Sequence, residues 1–200
     1  MQKYTKYLIL LLSYIIVPIL LSPINEFAGY VGKNFVVFIA LVYFWKDFKI
    51  RFKFDIWAIV LGIVIFIMWV SIDNLYPHLG EISFNPKGNM WLIGLKLFGF
   101  LIVAPLVEEI ITRDFLMRGM IDPHNFDKIL IGKFQWFSCI VTILFFGFAH
   151  NRWLAGLIAG IILNYLVYSR KDLSSPILAH FTANLMLAGY ILITHSWTFW

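Results

Sequence analysis

The chain has 200 residues, 61% of them hydrophobic and 14% charged, with a mean hydropathy of +0.83. Soluble domains run nearer about 45–50% apolar and 25% charged, so a water-soluble globular enzyme is excluded and an integral membrane protein is indicated. The net charge of +5 lies in short segments between apolar spans, so it reads as a topology signal and not as a nucleic-acid-binding face. The 20 Phe, 8 Trp and 9 Tyr supply interfacial aromatic belts. Cys139 is alone in an apolar run, which excludes an internal disulfide and suits a packing role.

The N-terminal Met1-Gln-Lys-Tyr-Thr-Lys-Tyr7 leads into an apolar run without a small-residue cleavage site, so a retained first helix is expected. Span one runs from Tyr7 to Leu21, with Pro18 as a kink point. Span two covers Phe35 to Trp45, short for the roughly 20 residues of a crossing unless it begins near Ala28. A basic loop follows with Lys46, Lys49, Arg51 and Lys53, then span three from Ile56 to Ile72 and a polar loop from Asp73 to Asn89. Span four starts at Met90, carries Lys96 near its start where it can snorkel, and stays helical to about Met120. That is too long for one straight crossing, and Pro105 is expected to break or kink it. After the turn Asp122-Pro-His-Asn125 come span five (Phe134 to Ala149), span six (Trp153 to Tyr168) and span seven (Pro176 to Thr194).

The fold expected is all-α: a polytopic bundle of seven transmembrane helices, or eight if Pro105 divides span four. It forms one transmembrane domain over 1–200, with N-terminal spans in 1–89 and a motif-bearing core in 90–195. Lys3 and Lys6, the 46–53 cluster, Arg113 to Lys133, and Arg170 with Lys171 fall on one side of a seven-span count; the other side has only Lys33, Lys87 and Arg152. The positive-inside rule then puts the N-terminus in the cytoplasm and the C-terminus outside.

The costliest stretch is Leu101-Ile-Val-Ala-Pro-Leu-Val-Glu-Glu-Ile-Ile-Thr-Arg113. Each ionisable group at membrane depth costs about 2.5–3.5 kcal/mol on insertion scales and normally faces a bundle interior or a wet cavity. Glu109 and Arg113 are i,i+4 and share a helix face, whereas Glu108 is rotated by about 100°. Glu109 and Arg113 are therefore expected to neutralise each other, leaving Glu108 for chemistry. His150 closes Phe146-x-x-x-His150, and His180 shares a face with Asn184. Each can be read blandly, as an interfacial histidine or as interhelical polar glue. Together they place a titratable or hydrogen-bonding group on three spans. A Glu with a His can activate water, His with Asn can face an oxyanion, and Glu108, His150 and His180 could equally ligate zinc. Gly156-x-x-x-Gly160 reads as a close-packing stripe of span six.

In this order and on separate spans, Glu108-Glu109-x-x-x-Arg113, Phe146-x-x-x-His150 and His180-x-x-x-Asn184 resemble the motifs of the CPBP intramembrane proteases, the family of the type II CAAX prenyl endopeptidases and bacterial Abi-type proteins. The resemblance covers about residues 90–195. It implies a bacterial inner-membrane endopeptidase with a cavity in the bilayer, acting on a membrane-anchored or lipidated substrate. Glu108 would be the base, aided by His150, with His180 and Asn184 at the oxyanion and Glu109, Arg113 and Phe146 in support. Family members usually flank the Arg with an aromatic and a Gly, where this chain has Thr112 and Asp114. Asp114-Phe-Leu-Met-Arg118 and the tail through Trp197-Thr-Phe-Trp200 look more like the subgroup that accompanies exosortase sorting systems.

The glutamate-type mechanism without a cofactor is favoured, with a zinc hydrolase as the alternative. Outside catalysis stand a bacteriocin-immunity or scaffold protein and a proton-coupled transporter; no internal repeat supports the latter. One tension accompanies the seven-span count. Glu108 and His180 fall toward the inner side and His150 toward the outer, so they meet only near mid-depth, or with span four broken and span five offset.

Overall fold

The computed structural model describes residues 2–23, 26–48, 50–80, 84–86 and 88–200; Lys49, Glu81 and Lys87 of the loops lie outside the described residues. Seven principal helices follow in order: α1 (Gln2–Leu21), α2 (Glu26–Tyr43), α3 (Ile56–Ser71), α4 (Met90–Gly119), α5 (Trp136–Phe148), α6 (Trp153–Arg170) and α7 (Ser174–Thr194). No strand occurs among the described residues. α1, α4, α6 and α7 are long and apolar enough to cross a membrane, and α2, α3 and α5 are shorter apolar helices. Leu12, Ile19, Ile39, Ile67, Leu144 and Ile161 stand exposed on outward faces. Such surface suits lipid and would be a liability in water.

α4 is the central element. Its Val103, Val107 and Ile110 pack with Tyr7 and Leu10 of α1 and Val37 and Leu41 of α2. α3, α5, α6 and α7 form a second core around Ala58, Phe146, Leu163 and Ala183. α5 and α6 approach closely at glycines, where a Cβ on Gly156 would stand 3.0 Å from the Gly147 backbone.

Pro105 does not divide α4. The chain stays helical through a π-type turn at Gly99–Val103, in which the Ala104 N–H reaches back to Gly99 O. Widening the helix there accommodates a proline that has no N–H to donate. A second π segment, Ile110–Leu116, follows the glutamate pair. The eight-crossing variant is therefore corrected to one long α4. The mid-depth tension resolves through length: α5 has only 13 residues, roughly 20 Å at 1.5 Å per residue, too short for the ~30 Å core. Its end brings His150 to the level of Glu108 and His180.

The basic segments collect at one end of the bundle. Lys3 pairs with Asp127 at 2.8 Å, Lys6 Nζ donates to Asp47 O, Lys171 Nζ to Gly132 O, and Arg170 pairs with Asp55 at 2.7 Å. Two residues counted among the topology-setting charges lie inside helices. Lys33 is inside α2 and lines an internal cavity, because α2 begins before Ala28. Arg113 is fully buried within α4.

Candidate active site

The two adjacent glutamates face different surroundings. Glu109 is fully buried, and its Oε1 accepts from Arg113 Nη1 at 3.2 Å and pairs with His180 Nδ1 at 2.9 Å. Arg113 is equally enclosed: Nε donates to Asn164 Oδ1 at 3.2 Å, Nη2 reaches Gly160 O at 3.5 Å, and the guanidinium lies 4.4 Å from the Phe146 ring centre. Asn164 in turn donates to Thr142 Oγ1 at 2.9 Å. This knot joins α4, α5, α6 and α7, and each partner spreads the cost of a buried charge.

Glu108 points into a cavity of about 540 Å3. Tyr14 of α1 donates its hydroxyl to Glu108 Oε1 at 2.7 Å. Glu108 Oε2 has no hydrogen-bond partner; it faces His150 Nε2 at 3.6 Å and His180 Nε2 at 3.9 Å. Each imidazole is held from behind. His150 Nδ1 sits 2.7 Å from Phe146 O, and His180 Nδ1 is held by Glu109. A carbonyl only accepts, so His150 carries its proton on Nδ1; Glu109 Oε1, already the acceptor for Arg113 Nη1, favours the same tautomer in His180. When both rings are neutral, three lone-pair atoms converge on one point. Phe146 packs against both rings, at 4.7 Å and 5.7 Å between centroids, and Trp69 closes on His150 at 5.5 Å.

Asn184 also lines the cavity, and its Nδ2 donates to Phe100 O at 2.8 Å. Phe100 lies five residues before Pro105, so its carbonyl faces a residue without an N–H, and the Asn184 amide supplies the missing donor. One amide hydrogen is thus spent on α4 and the other remains for the cavity.

The structure brings together all seven site residues read from the sequence: Glu108, His150, His180 and Asn184 on the cavity, with Glu109, Arg113 and Phe146 behind them. Sequence reading missed Tyr14, which resembles any belt tyrosine, and Asn164 with Thr142, although an asparagine inside the apolar run of α6 is itself a signal. Asp114, where the family pattern has Gly, accepts from Tyr7 at 2.6 Å and pairs with Arg118, tying α1 to α4. At the opposite end from the basic segments, Arg152 donates to Asp73 Oδ1 at 2.5 Å and to Thr198 O at 2.8 Å, and Phe199 and Trp200 close the cavity. Among the described residues, no set of three His, Cys, Asp or Glu side chains forms a ready metal cluster.

No curated protein and no solved structure matches the chain. A family model does: residues 89–186 match the type II CAAX prenyl endopeptidase Rce1-like model, a range that holds the α4, α5 and α7 motifs and excludes Tyr14 and Lys33. Residues 89–186, with their cavity-facing glutamate and histidines on apolar helices, thus carry an Rce1-like type II CAAX prenyl endopeptidase domain.

Proposed function

We propose that the protein cleaves a peptide bond near the C-terminus of a membrane-anchored protein, with Glu108 as the base that activates water. The observation that carries this reading is the unpartnered Glu108 Oε2 beside the Nε2 atoms of His150 and His180, at 3.6 and 3.9 Å, on the wall of the cavity. Those gaps are too long for direct hydrogen bonds but suit a water bonded to them at about 2.8 Å each. Such a water donates one hydrogen to Glu108 Oε2 and one to His150 Nε2, leaving an oxygen lone pair for the scissile carbonyl. As the C–O bond forms, Glu108 takes the proton and the carbonyl oxygen becomes an oxyanion. The free Asn184 N–H faces that charge, as does His180 when its Nε2 is protonated. Collapse of the adduct breaks the C–N bond, and Glu108 returns its proton to the leaving amine. Tyr14 is a positioning residue, fixing Glu108 through Oε1. Arg113 Nη1 holds Glu109, and Glu109 holds His180.

A zinc hydrolase is the second reading, because three converging lone pairs also suit a cation. Glu108, His150 and His180 would hold the ion, which would supply Lewis-acid activation of water. The fit is loose: tetrahedral zinc with bonds near 2.0–2.1 Å holds its donors about 3.3–3.4 Å apart, closer than the observed 3.6 and 3.9 Å. The glutamate-type reading therefore comes first. An exosortase-associated substrate, the tail of an exported protein, is the finer form of the proposal, and an inner-membrane location with the basic end cytoplasmic completes it.

The test uses purified protein in liposomes with a membrane-anchored peptide library read by mass spectrometry, comparing wild type and E108Q with and without a strong zinc chelator. Loss in E108Q with chelator-resistant wild type supports the glutamate-type protease. Chelator sensitivity with stoichiometric zinc moves the site to metal. Cleavage by E108Q equal to wild type overturns the assignment.

A further inference from the structure

Besides Arg152, which is held by Asp73, two cations line the same cavity and take no part in the chemistry above. Lys33 lies in α2 and Lys96 in the second turn region of α4. Lys33 Nζ lies 4.2 Å from the ring centre of Tyr14 and 5.2 Å from that of Tyr30. Lys96 Nζ lies 4.2 Å from the same Tyr30 ring and 4.9 Å from Phe84. Among the described residues neither ammonium has a carboxylate partner: Glu109 is held by Arg113, and Asp73 by Arg152. Tyr14 stands between Lys33 and Glu108: its hydroxyl binds the carboxylate and its ring carries the lysine.

Two ammonium groups on one tyrosine, in a cavity whose wall includes Leu11, Ile15, Phe66 and Trp69, are costly as they stand. A ring face covers one side of each cation and leaves donors for the cavity. The pair calls for an anion, and the cavity shared with Glu108 says where the anion comes from. Relayed through one tyrosine, Lys33 is at most about 10 Å from the Glu108 carboxylate, a distance that a few extended residues span at roughly 3.4 Å each.

We infer that Lys33 and Lys96 form an anion subsite for the free C-terminal carboxylate of the peptide that Glu108 cleaves, an assignment that rests on the proteolytic reading. A peptide lying from Glu108 toward Lys96 places its terminal carboxylate between two ammonium donors while its side chains meet the apolar wall. An internal loop or an amidated end brings no charge there and leaves both cations unpaired. The subsite thus turns a general water-activating centre into one that measures its distance from a chain end. Both lysines precede or flank the two motifs that supply the histidines, so chemistry and end recognition come from different helices.

The test is a binding measurement that needs no turnover. A dansylated apolar tetrapeptide with a free C-terminal carboxylate, and its C-terminal amide, are titrated against full-length protein in zwitterionic liposomes. Wild type, E108Q, K33M/K96M and K33R/K96R are compared after their thermal melting is shown to match. The acid is expected to bind at least about tenfold more tightly than the amide in wild type and E108Q, as a charge-assisted contact gives. That preference is expected to vanish in K33M/K96M and persist in K33R/K96R, with amide affinity unchanged throughout. Equal binding of acid and amide by wild type overturns the subsite, as does a preference that survives K33M/K96M. Phosphatidylglycerol in the liposomes tests a lipid phosphate as the anion: abolished acid preference, with lipid retained by wild type and lost from K33M/K96M, reassigns the lysines to lipid and overturns the peptide assignment. If the preference holds while no peptide is cleaved, the proteolytic reading fails and carboxylate binding stands.

Discussion

Glu108 and Glu109 are neighbours in sequence and opposites in environment. Glu109 is enclosed: its Oε1 takes both the Arg113 guanidinium and the His180 imidazole, its Oε2 is buried without a partner, and Asn164 and Thr142 extend the knot from Arg113 so that it ties four helices together. Around Glu108 one oxygen is held by Tyr14 and the other is left over a cavity. A buried carboxylate paired with a buried guanidinium, away from the cavity, holds a structure together. One left half-partnered beside open space is available to react. The difference follows from about 100° of helix rotation, which sends one carboxylate toward α6 and α7 and the other toward α1 and the cavity.

The sharpest way to break this contrast is to exchange a charge for an amide at each position. E108Q is expected to lower cleavage by about 10³-fold or more while leaving the detergent melting temperature near wild type, since base catalysis contributes roughly 10²–10⁴-fold. A large fall in melting temperature would make Glu108 a structural group like its neighbour. R113M should do the reverse. It strands Glu109 in the interior, and loss of one partner of a buried pair costs about 3–5 kcal/mol. A melting temperature unchanged from wild type would show that the knot is not what holds α4 to α6. The combined E109Q/R113M variant should melt above R113M alone, because no unpaired charge is left behind.

Smaller effects sharpen the picture. Y14F removes the hydroxyl on Glu108 Oε1 but keeps the ring under Lys33; kcat is expected to fall about tenfold with KM nearly constant, in line with one lost hydrogen bond to a charged group. A KM change of the same size at constant kcat would mean that Tyr14 binds substrate instead of positioning the base. The smallest effect belongs to the remote basic end. Asp55 loses some hydration, which works to raise its carboxyl pKa; bonds from the Arg170 guanidinium, the Ser175 hydroxyl and the Trp57 N–H outweigh this and hold it below the ordinary 3.8. A depressed folded value means that its stabilisation is in place above about pH 4 and fades as the pH falls through the native pKa. D55A is expected to cost about 1 kcal/mol as a lost helix cap, with unchanged kcat and a smaller difference between variant and wild type in acid. A change in kcat would connect that end to the site.

Much of this arrangement is legible in the sequence, for identifiable reasons. Span three, span four and the start of span six are bounded by abrupt changes in hydropathy, and the observed α3, α4 and α6 begin at the expected Ile56, Met90 and Trp153. The pairing of Glu109 with Arg113 follows from i,i+4 spacing alone. Lys33 was less legible. Starting span two at Phe35 made it a loop residue, whereas the observed α2 starts at Glu26 and carries it inside. Tyr14 was illegible because hydropathy marks the helix that bears it but not the partner its hydroxyl meets 94 residues later. Nor does any periodicity announce a π turn, since the apolar pattern of 99–103 would suit an α-helix equally well.

The π turn at Gly99–Val103 acts on α4 as a phase setting. It holds one residue more than the same length of α-helix, so everything beyond it is turned by about a residue's worth of rotation, roughly 100°. Deleting a single residue there would leave the hydropathy profile, the charge and the motif spacings from Glu108 onward intact. It would nevertheless swing Glu108 away from the histidines and turn its neighbour toward the position it vacates. The address of the cavity-facing carboxylate is written in an irregularity some nine residues upstream, and a change there would be invisible to any reading that counts only the motifs.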